Sequence, residues 1–126
     1  MENQKYILKF DSHSGHLTSF FDKENKFELL KGNDAVPVVI DEYGYDTWAH
    51  AKTLFYNELA RFTDAKITVT ESGPVRATIK VESFYNSSKL TQWFTLTDNG
   101  EPQVKAMVDR REKRKRSYYP CLRNRR

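Results

Sequence analysis

The stretch Asp41–His50 concentrates the side chains in this sequence that are best suited to chemistry. It places three acids, two tyrosines, a tryptophan and a histidine around one glycine, and it does not alternate as its neighbours do. Aromatic faces beside carboxylates suit a polyhydroxylated ligand, because rings cover C–H surfaces while oxygen acceptors bind hydroxyl groups. Tyr43, Tyr45 and Trp48 therefore form either a sugar-stacking platform or an aromatic plug over the end of a sheet.

Asp46 and His50 have the spacing for a direct contact within this stretch. Residues four apart share a helical face, so the carboxylate can fix the tautomer of the imidazole. A metal site would need at least one further ligand, and a structural hydrogen bond is the favoured interpretation. Asp41, Glu42 and Asp46 also offer carboxylates for glycoside chemistry, which needs a pair about 5–9 Å apart. Acids in loops are more often solvated or capping.

Elsewhere the sequence lacks the common catalytic signatures. It has no glycine-rich phosphate loop, no His-Glu-x-x-His pair and no Gly-x-Ser-x-Gly elbow. His13 and His16 flank a predicted hairpin turn, where we expect exposed side chains and no metal. Cys121 is the single cysteine, which excludes an internal disulfide. Because a chain without disulfides suits a reducing compartment, we expect a cytoplasmic protein.

The charge divides the chain into two segments. Residues 1–109 carry 12 lysines and arginines against 16 acids, a net charge of −4, whereas residues 110–126 carry nine against Glu112 alone, a net charge of +8. The length fits one domain, so we predict a domain over residues 1–109 and a basic tail over 110–126 that is disordered or non-native to the fold. The tail would attract polyanions, with Tyr118 and Tyr119 for stacking, but it predicts no specific nucleic-acid partner.

The chain also lacks membrane signals. No apolar run approaches the roughly 18 residues of a membrane span, and the N-terminus lacks the basic and apolar regions of a secretory signal. We therefore expect no membrane partner.

Short alternating segments joined by turn residues predict an all-β fold. The predicted strands include Tyr6–Phe10, Leu17–Phe21, Val36–Ile40, Ala65–Thr70, Val75–Glu82, Lys89–Thr97 and Val104–Val108. The last four form an antiparallel meander, in which Val104, Ala106 and Val108 are expected to face inward. The architecture is predicted to be an antiparallel β-sandwich with a long irregular loop and a short helix within Thr47–Tyr56.

Several segments, taken in order, carry a family resemblance. They are Leu17-Thr-Ser-Phe-Phe-Asp-Lys-Glu24, Asp46-Thr-Trp-Ala-His50, Glu58–Phe62, Glu71-Ser-Gly-Pro-Val-Arg-Ala77 and Asp109-Arg-Arg-Glu-Lys-Arg-Lys115. Together they resemble the β-sandwich region of family 38 glycoside hydrolases, the retaining α-mannosidases, over about residues 3–115. Two features depart from the family pattern: Arg110 stands where a tryptophan is usual, and basic residues after Lys115 replace an apolar strand.

The resemblance implies a non-catalytic fragment of a larger α-mannosidase, within a sandwich related to galactose mutarotase. The aspartate nucleophile and a zinc or other divalent metal would lie in a separate barrel domain, so this chain alone is expected to be inactive, without catalytic residues or cofactor. Tyr45, Asp46, Trp48 and His50 would line a substrate pocket. Expected partners are an α-mannoside, the rest of the parent polypeptide and a second copy bound at an exposed sheet edge. The alternative is a free-standing carbohydrate-binding module that uses the 43–50 loop.

Overall fold

The computed structural model describes residues 1–31, 34–41 and 57–110, with the backbone alone for Arg110. These residues form antiparallel β-structure, and no helix occurs among them. The strands are β1 (Tyr6–Phe10), β2 (Leu17–Asp22), β3 (Phe27–Glu28), β4 (Val38–Ile40), β5 (Glu58–Arg61), β6 (Thr63–Ser72), β7 (Arg76–Tyr85), β8 (Ser88–Thr97) and β9 (Gln103–Arg110). They pair as a three-stranded sheet β1-β2-β3, a hairpin β4-β5 and a four-stranded sheet β6-β7-β8-β9.

The two larger sheets pack face to face, and this contact forms the core. Leu8 and Leu17 of the three-stranded sheet form a buried cluster with Leu96 of β8. The ring of Phe10 meets the ring of Phe94 edge-on, with centroids 4.8 Å apart. Apolar side chains from two facing sheets are the core of a β-sandwich, so the predicted fold class is confirmed.

The turn between β1 and β2 brings the chain close to the second sheet. The Oδ1 atom of Asp11 accepts hydrogen bonds from the backbone N–H groups of His13 and Ser14 at 3.0 and 2.6 Å, which closes the turn. Gly15 follows with a φ of +73°, and it lies against Ala65 and Val81. The turn therefore serves as a docking point between the sheets.

The predicted meander is present, but its last strand is less buried than the alternation indicated. Val81 in β7 is 1% exposed, as expected for the inner face. Val104 and Val108 in β9 are 56% and 60% exposed. Both lie on the predicted inner face, opposite Phe94 and Leu90, but they remain exposed because no described part of the chain covers β9. The predicted helix within Thr47–Tyr56 lies outside the described residues.

Candidate functional site

The predicted substrate-binding residues lie outside the part of the chain that the structure describes. Tyr45, Asp46, Trp48 and His50 all belong to residues 42–56, and the basic tail beyond Arg110 is likewise not described. What the structure does define is the β-hairpin from which residues 42–56 depart and to which they return.

The β4-β5 hairpin brings the two ends of this segment side by side. Val39 pairs with Ala60, and Ile40 pairs with Glu58 after a register shift. Beyond the last pair, the backbone N–H of Asp41 donates to the carbonyl of Asn57 at 2.9 Å. The two residues that flank segment 42–56 therefore lie side by side at the end of the hairpin.

Both sheets hold the hairpin. The backbone N–H of Ala35 donates to the carbonyl of Leu17 at 2.9 Å, which connects the approach to β4 with the first sheet. The N–H of Phe62 donates to the carbonyl of Pro37 at 3.0 Å, which extends the β4-β5 pairing, and Phe62 leads directly into β6. Phe62 is 8% exposed, and its ring meets that of Tyr85 with centroids 6.2 Å apart. These contacts give the loop a fixed base on the sandwich.

His16 adds to the contacts that hold the hairpin, which we call the anchor, and the sequence did not predict this role. It was expected to be exposed, but it is 8% exposed, whereas His13 is exposed as predicted. The Nε2 atom of His16 lies 2.9 Å from the carbonyl oxygen of Phe62, and a carbonyl only accepts, so Nε2 carries the proton. The imidazole thus satisfies a backbone group between the two sheets, which is a structural role.

An apolar cleft of about 420 Å³ opens between the sheets beside this anchor. Its described lining residues are Gly15, Leu17, Ala35, Val36, Pro37, Gln92, Phe94 and Val104. Among these, Gln92 alone has a polar side chain, and none is titratable. The described lining can therefore accommodate apolar surface, and it includes no group for acid–base chemistry.

A polar groove of about 390 Å³ lies on the opposite, outer face of the four-stranded sheet. The guanidinium of Arg76 holds Glu71 through two bonds, Nε to Oε2 at 2.8 Å and Nη2 to Oε1 at 2.9 Å. The hydroxyl group of Thr78 donates to Oε2 of Glu71 at 3.3 Å, and its oxygen lies 3.0 Å from the hydroxyl oxygen of Thr95. These four side chains form hydrogen bonds with one another across neighbouring strands, so each already has a partner within the sheet.

Arg76 sets the charge state of Glu71. The hydrogen bond from this guanidinium holds the pKa of the Glu71 carboxyl below its ordinary value of 4.5, although partial burial opposes the shift. The same pairing raises the pKa of Arg76. Both side chains therefore stay charged near neutral pH and do not exchange protons with a ligand there.

This pairing predicts a small loss of stability in acid. A carboxylate with a lowered folded-state pKa stabilises the fold above its unfolded pKa, and that stabilisation disappears as the pH falls through the folded pKa. Glu71→Gln should therefore flatten the decline in thermal midpoint between about pH 5 and pH 3. Thermal unfolding followed by circular dichroism across this range measures the effect. Glu101→Gln, which removes an acid without an ion pair among the described residues, should leave the decline unchanged.

The family of the chain follows from a comparison with protein-family models. Residues 1–116 match the model of the glycosyl hydrolases family 38 C-terminal domain. The chain belongs to this family. Comparison with curated proteins and with solved structures gave no match. The resemblance predicted from the sequence is thereby confirmed, and the sandwich is the non-catalytic, C-terminal portion of a family 38 glycoside hydrolase.

Two further observations concern the described part of this family 38 domain. Within residues 1–31, 34–41 and 57–110, no three His, Cys, Asp or Glu side chains come close enough together to hold a metal ion. The same residues also include no helix that is long and apolar enough to cross a membrane.

Proposed function

We propose that this domain completes the substrate pocket of an α-mannosidase through its 42–56 loop. The parent enzyme would release terminal α-mannosides with retention, using a nucleophile and a divalent metal held in a separate catalytic domain. Tyr45, Asp46, Trp48 and His50 would line the sugar site, with the indole as a stacking face and the carboxylate as a hydroxyl acceptor. The match to the family 38 C-terminal domain over residues 1–116 carries the proposal.

The anchoring of the hairpin supports this role for the loop. A binding loop needs a rigid base, because ordering a mobile segment on binding lowers affinity. The ends of the 42–56 segment are joined at Asp41 and Asn57. The Ala35–Leu17 hydrogen bond connects the hairpin to the first sheet, and the ring contact of Phe62 with Tyr85 connects it to the second. The parent polypeptide is the expected partner of the domain. The cytoplasm is the proposed compartment, because the single cysteine, Cys121, forms no internal disulfide.

Substitution of Trp48 in the longer enzyme tests the loop. Trp48→Ala should lower kcat/KM for an aryl α-mannoside by about tenfold to a hundredfold, since sugar–aromatic contact of about 1–3 kcal/mol is lost. Trp93→Ala is the matched control, because that indole lies in the outer-face groove beneath Lys105, 5.5 Å from its ammonium nitrogen. Steady-state kinetics of both variants should show a loss for Trp48 alone. Equal kcat/KM for Trp48→Ala and the unmodified enzyme would contradict the proposed pocket.

The isolated chain distinguishes the proposal from a free-standing carbohydrate-binding module. Alone, with or without added zinc, it should show no hydrolysis of an α-mannoside and no saturable binding of mannose oligosaccharides in calorimetric titration. Saturable binding that Trp48→Ala abolishes would favour the module. Turnover that follows the chain through purification would contradict its assignment as a non-catalytic portion.

A further inference from the structure

Strand β9 is an edge of the four-stranded sheet that is open to pairing. Among the described residues it pairs with β8 alone. Its eight residues contain no proline, and the β8-β9 pairing runs without a register shift. The opposite edge, β6, has two register shifts in its pairing with β7. Because bulges twist an edge away from further pairing, β9 is the more available of the two edges.

Strand β9 has exposed apolar side chains on both faces of the sheet. Val104 and Val108 lie on the inner face at 56% and 60% exposure. Met107 lies on the outer face at 51% exposure. A regular edge strand with exposed apolar side chains favours association, because a partner strand can pair with its backbone groups and bury its apolar side chains together.

The charges of β9 are self-complementary about Met107. Lys105 and Asp109 stand two residues to either side of it, on the same face of the sheet. Neither forms an ion pair with another described residue, and the Lys105 ammonium lies over the Trp93 ring. In an antiparallel pair of two β9 strands centred on Met107, Lys105 of each copy stands opposite Asp109 of the other.

Other registers lack this match. A shift by one residue would place the outer side chains of one copy beside the inner side chains of the other. A register centred on Ala106 would place Lys105 opposite Met107, and one centred on Val108 would place it opposite Arg111. The register centred on Met107 also sets Ala106 opposite Val108, so an apolar pair extends the inner face.

We propose that β9 pairs antiparallel with β9 of a second copy, about a two-fold axis at Met107. The two four-stranded sheets then form one continuous sheet of eight strands. A two-fold interface of this kind is isologous, so each favourable contact occurs twice. The pairing is independent of the proposed mannoside pocket, since no residue of the 42–56 segment takes part.

Charge exchange across the interface tests the pairing on the full chain. Sedimentation velocity over a wide concentration range, at physiological salt, should show a reversible monomer–dimer equilibrium. Lys105→Glu or Asp109→Lys should weaken dimerisation by about tenfold or more, because like charges then stand opposite each other at two symmetric positions. The double variant, Lys105→Glu with Asp109→Lys, should recover it. Lys66→Glu makes the same charge change on the opposite edge strand and should have no effect.

The outcomes decide the proposal without reference to mannoside binding or hydrolysis. A chain that stays monomeric over the whole range overturns it, as does dimerisation that the single variants leave unchanged. Weak dimerisation in the double variant also overturns it, because the ion pairs are then not the contacts that set the register. Circular dichroism of each variant establishes that it is folded.

Disulfide trapping tests the register directly, in a Cys121→Ser background. Met107→Cys should form a disulfide-linked dimer on mild oxidation, because residues at the two-fold axis of an antiparallel pair have Cα atoms about 4.5–5.5 Å apart. Val104→Cys, at a similarly exposed position, should not, since the introduced thiols then lie several residues apart. Comparable crosslinking of the two variants on non-reducing gels would overturn the proposed register.

Discussion

Phe94→Ala is expected to lower the free energy of unfolding by about 4 kcal/mol, which is a large share of the stability of a small domain. Phe94 is 7% exposed, and its ring meets Phe10 of the opposite sheet at a centroid distance of 4.8 Å. Truncation removes both the buried area and the edge-to-face contact between the two sheets. Urea unfolding should show a fall in midpoint of about 2 M, given a slope of about 2 kcal/mol/M.

Phe84→Ala is the matched control for this prediction. Phe84 lies in β7 of the same sheet, but on the outer face and 43% exposed. We expect its loss to cost less than about 1 kcal/mol, because little buried area changes. Equal midpoints for the two variants would mean that the contact between the sheets does not hold the sandwich together.

Periodicity in the sequence predicts which face of a strand a residue occupies, but not what covers that face. In β7 and β8 the inner-face residues Val81 and Leu96 are 1% and 2% exposed, because the β1-β2 turn lies against Val81 and Leu8 and Leu17 pack on Leu96. In β9 the same alternation places Val104 and Val108 on the inner face, where they remain exposed. The difference is tertiary: no described strand extends over β9. Local pattern alone therefore supports the strand assignments and not the burial.

Local sequence also fails to predict long-range contacts near the candidate site. The composition of Asp41–His50 was compatible with either a sugar-stacking platform or an aromatic plug, and the structure adds where residues 42–56 leave and rejoin the sheet, at Asp41 and Asn57. His16 was misjudged because its partner, the Phe62 carbonyl, lies 46 residues away in sequence. The Glu71–Arg76 pair had a usable signal: the two residues flank the Ser-Gly-Pro turn, which brings neighbouring strands into register.

Family membership and side-chain geometry describe different properties of this domain. The match over residues 1–116 assigns the chain to the C-terminal domain of family 38 glycoside hydrolases. The described side chains explain the scaffold: the sheets fix the hairpin, and the outer groove is occupied by its own ion pair. The described lining of the apolar cleft has no titratable side chain, and in the outer groove Glu71 and Arg76 are paired with each other.

Gly15→Ala is expected to destabilise the domain by about 3 kcal/mol, although it adds only one methyl group. The φ of +73° is unfavourable for any residue with a Cβ atom. A Cβ atom at Gly15 would also overlap the Cβ of Ala65 and lie 2.7 Å from Cγ1 of Val81, in the contact between the turn and the second sheet. Thermal and urea unfolding, compared with the unmodified chain, measure the loss.

Gly73→Ala separates this tight contact from a general effect of replacing glycine. A Cβ atom at Gly73 would meet only the carbonyl oxygen of Arg76, at an ordinary distance of 3.5 Å. Its replacement should therefore change the free energy of unfolding by less than about 0.5 kcal/mol, because reduced freedom of the unfolded chain offsets any local cost. Tolerance of alanine at both positions would contradict the close approach of the β1-β2 turn to β6 and β7.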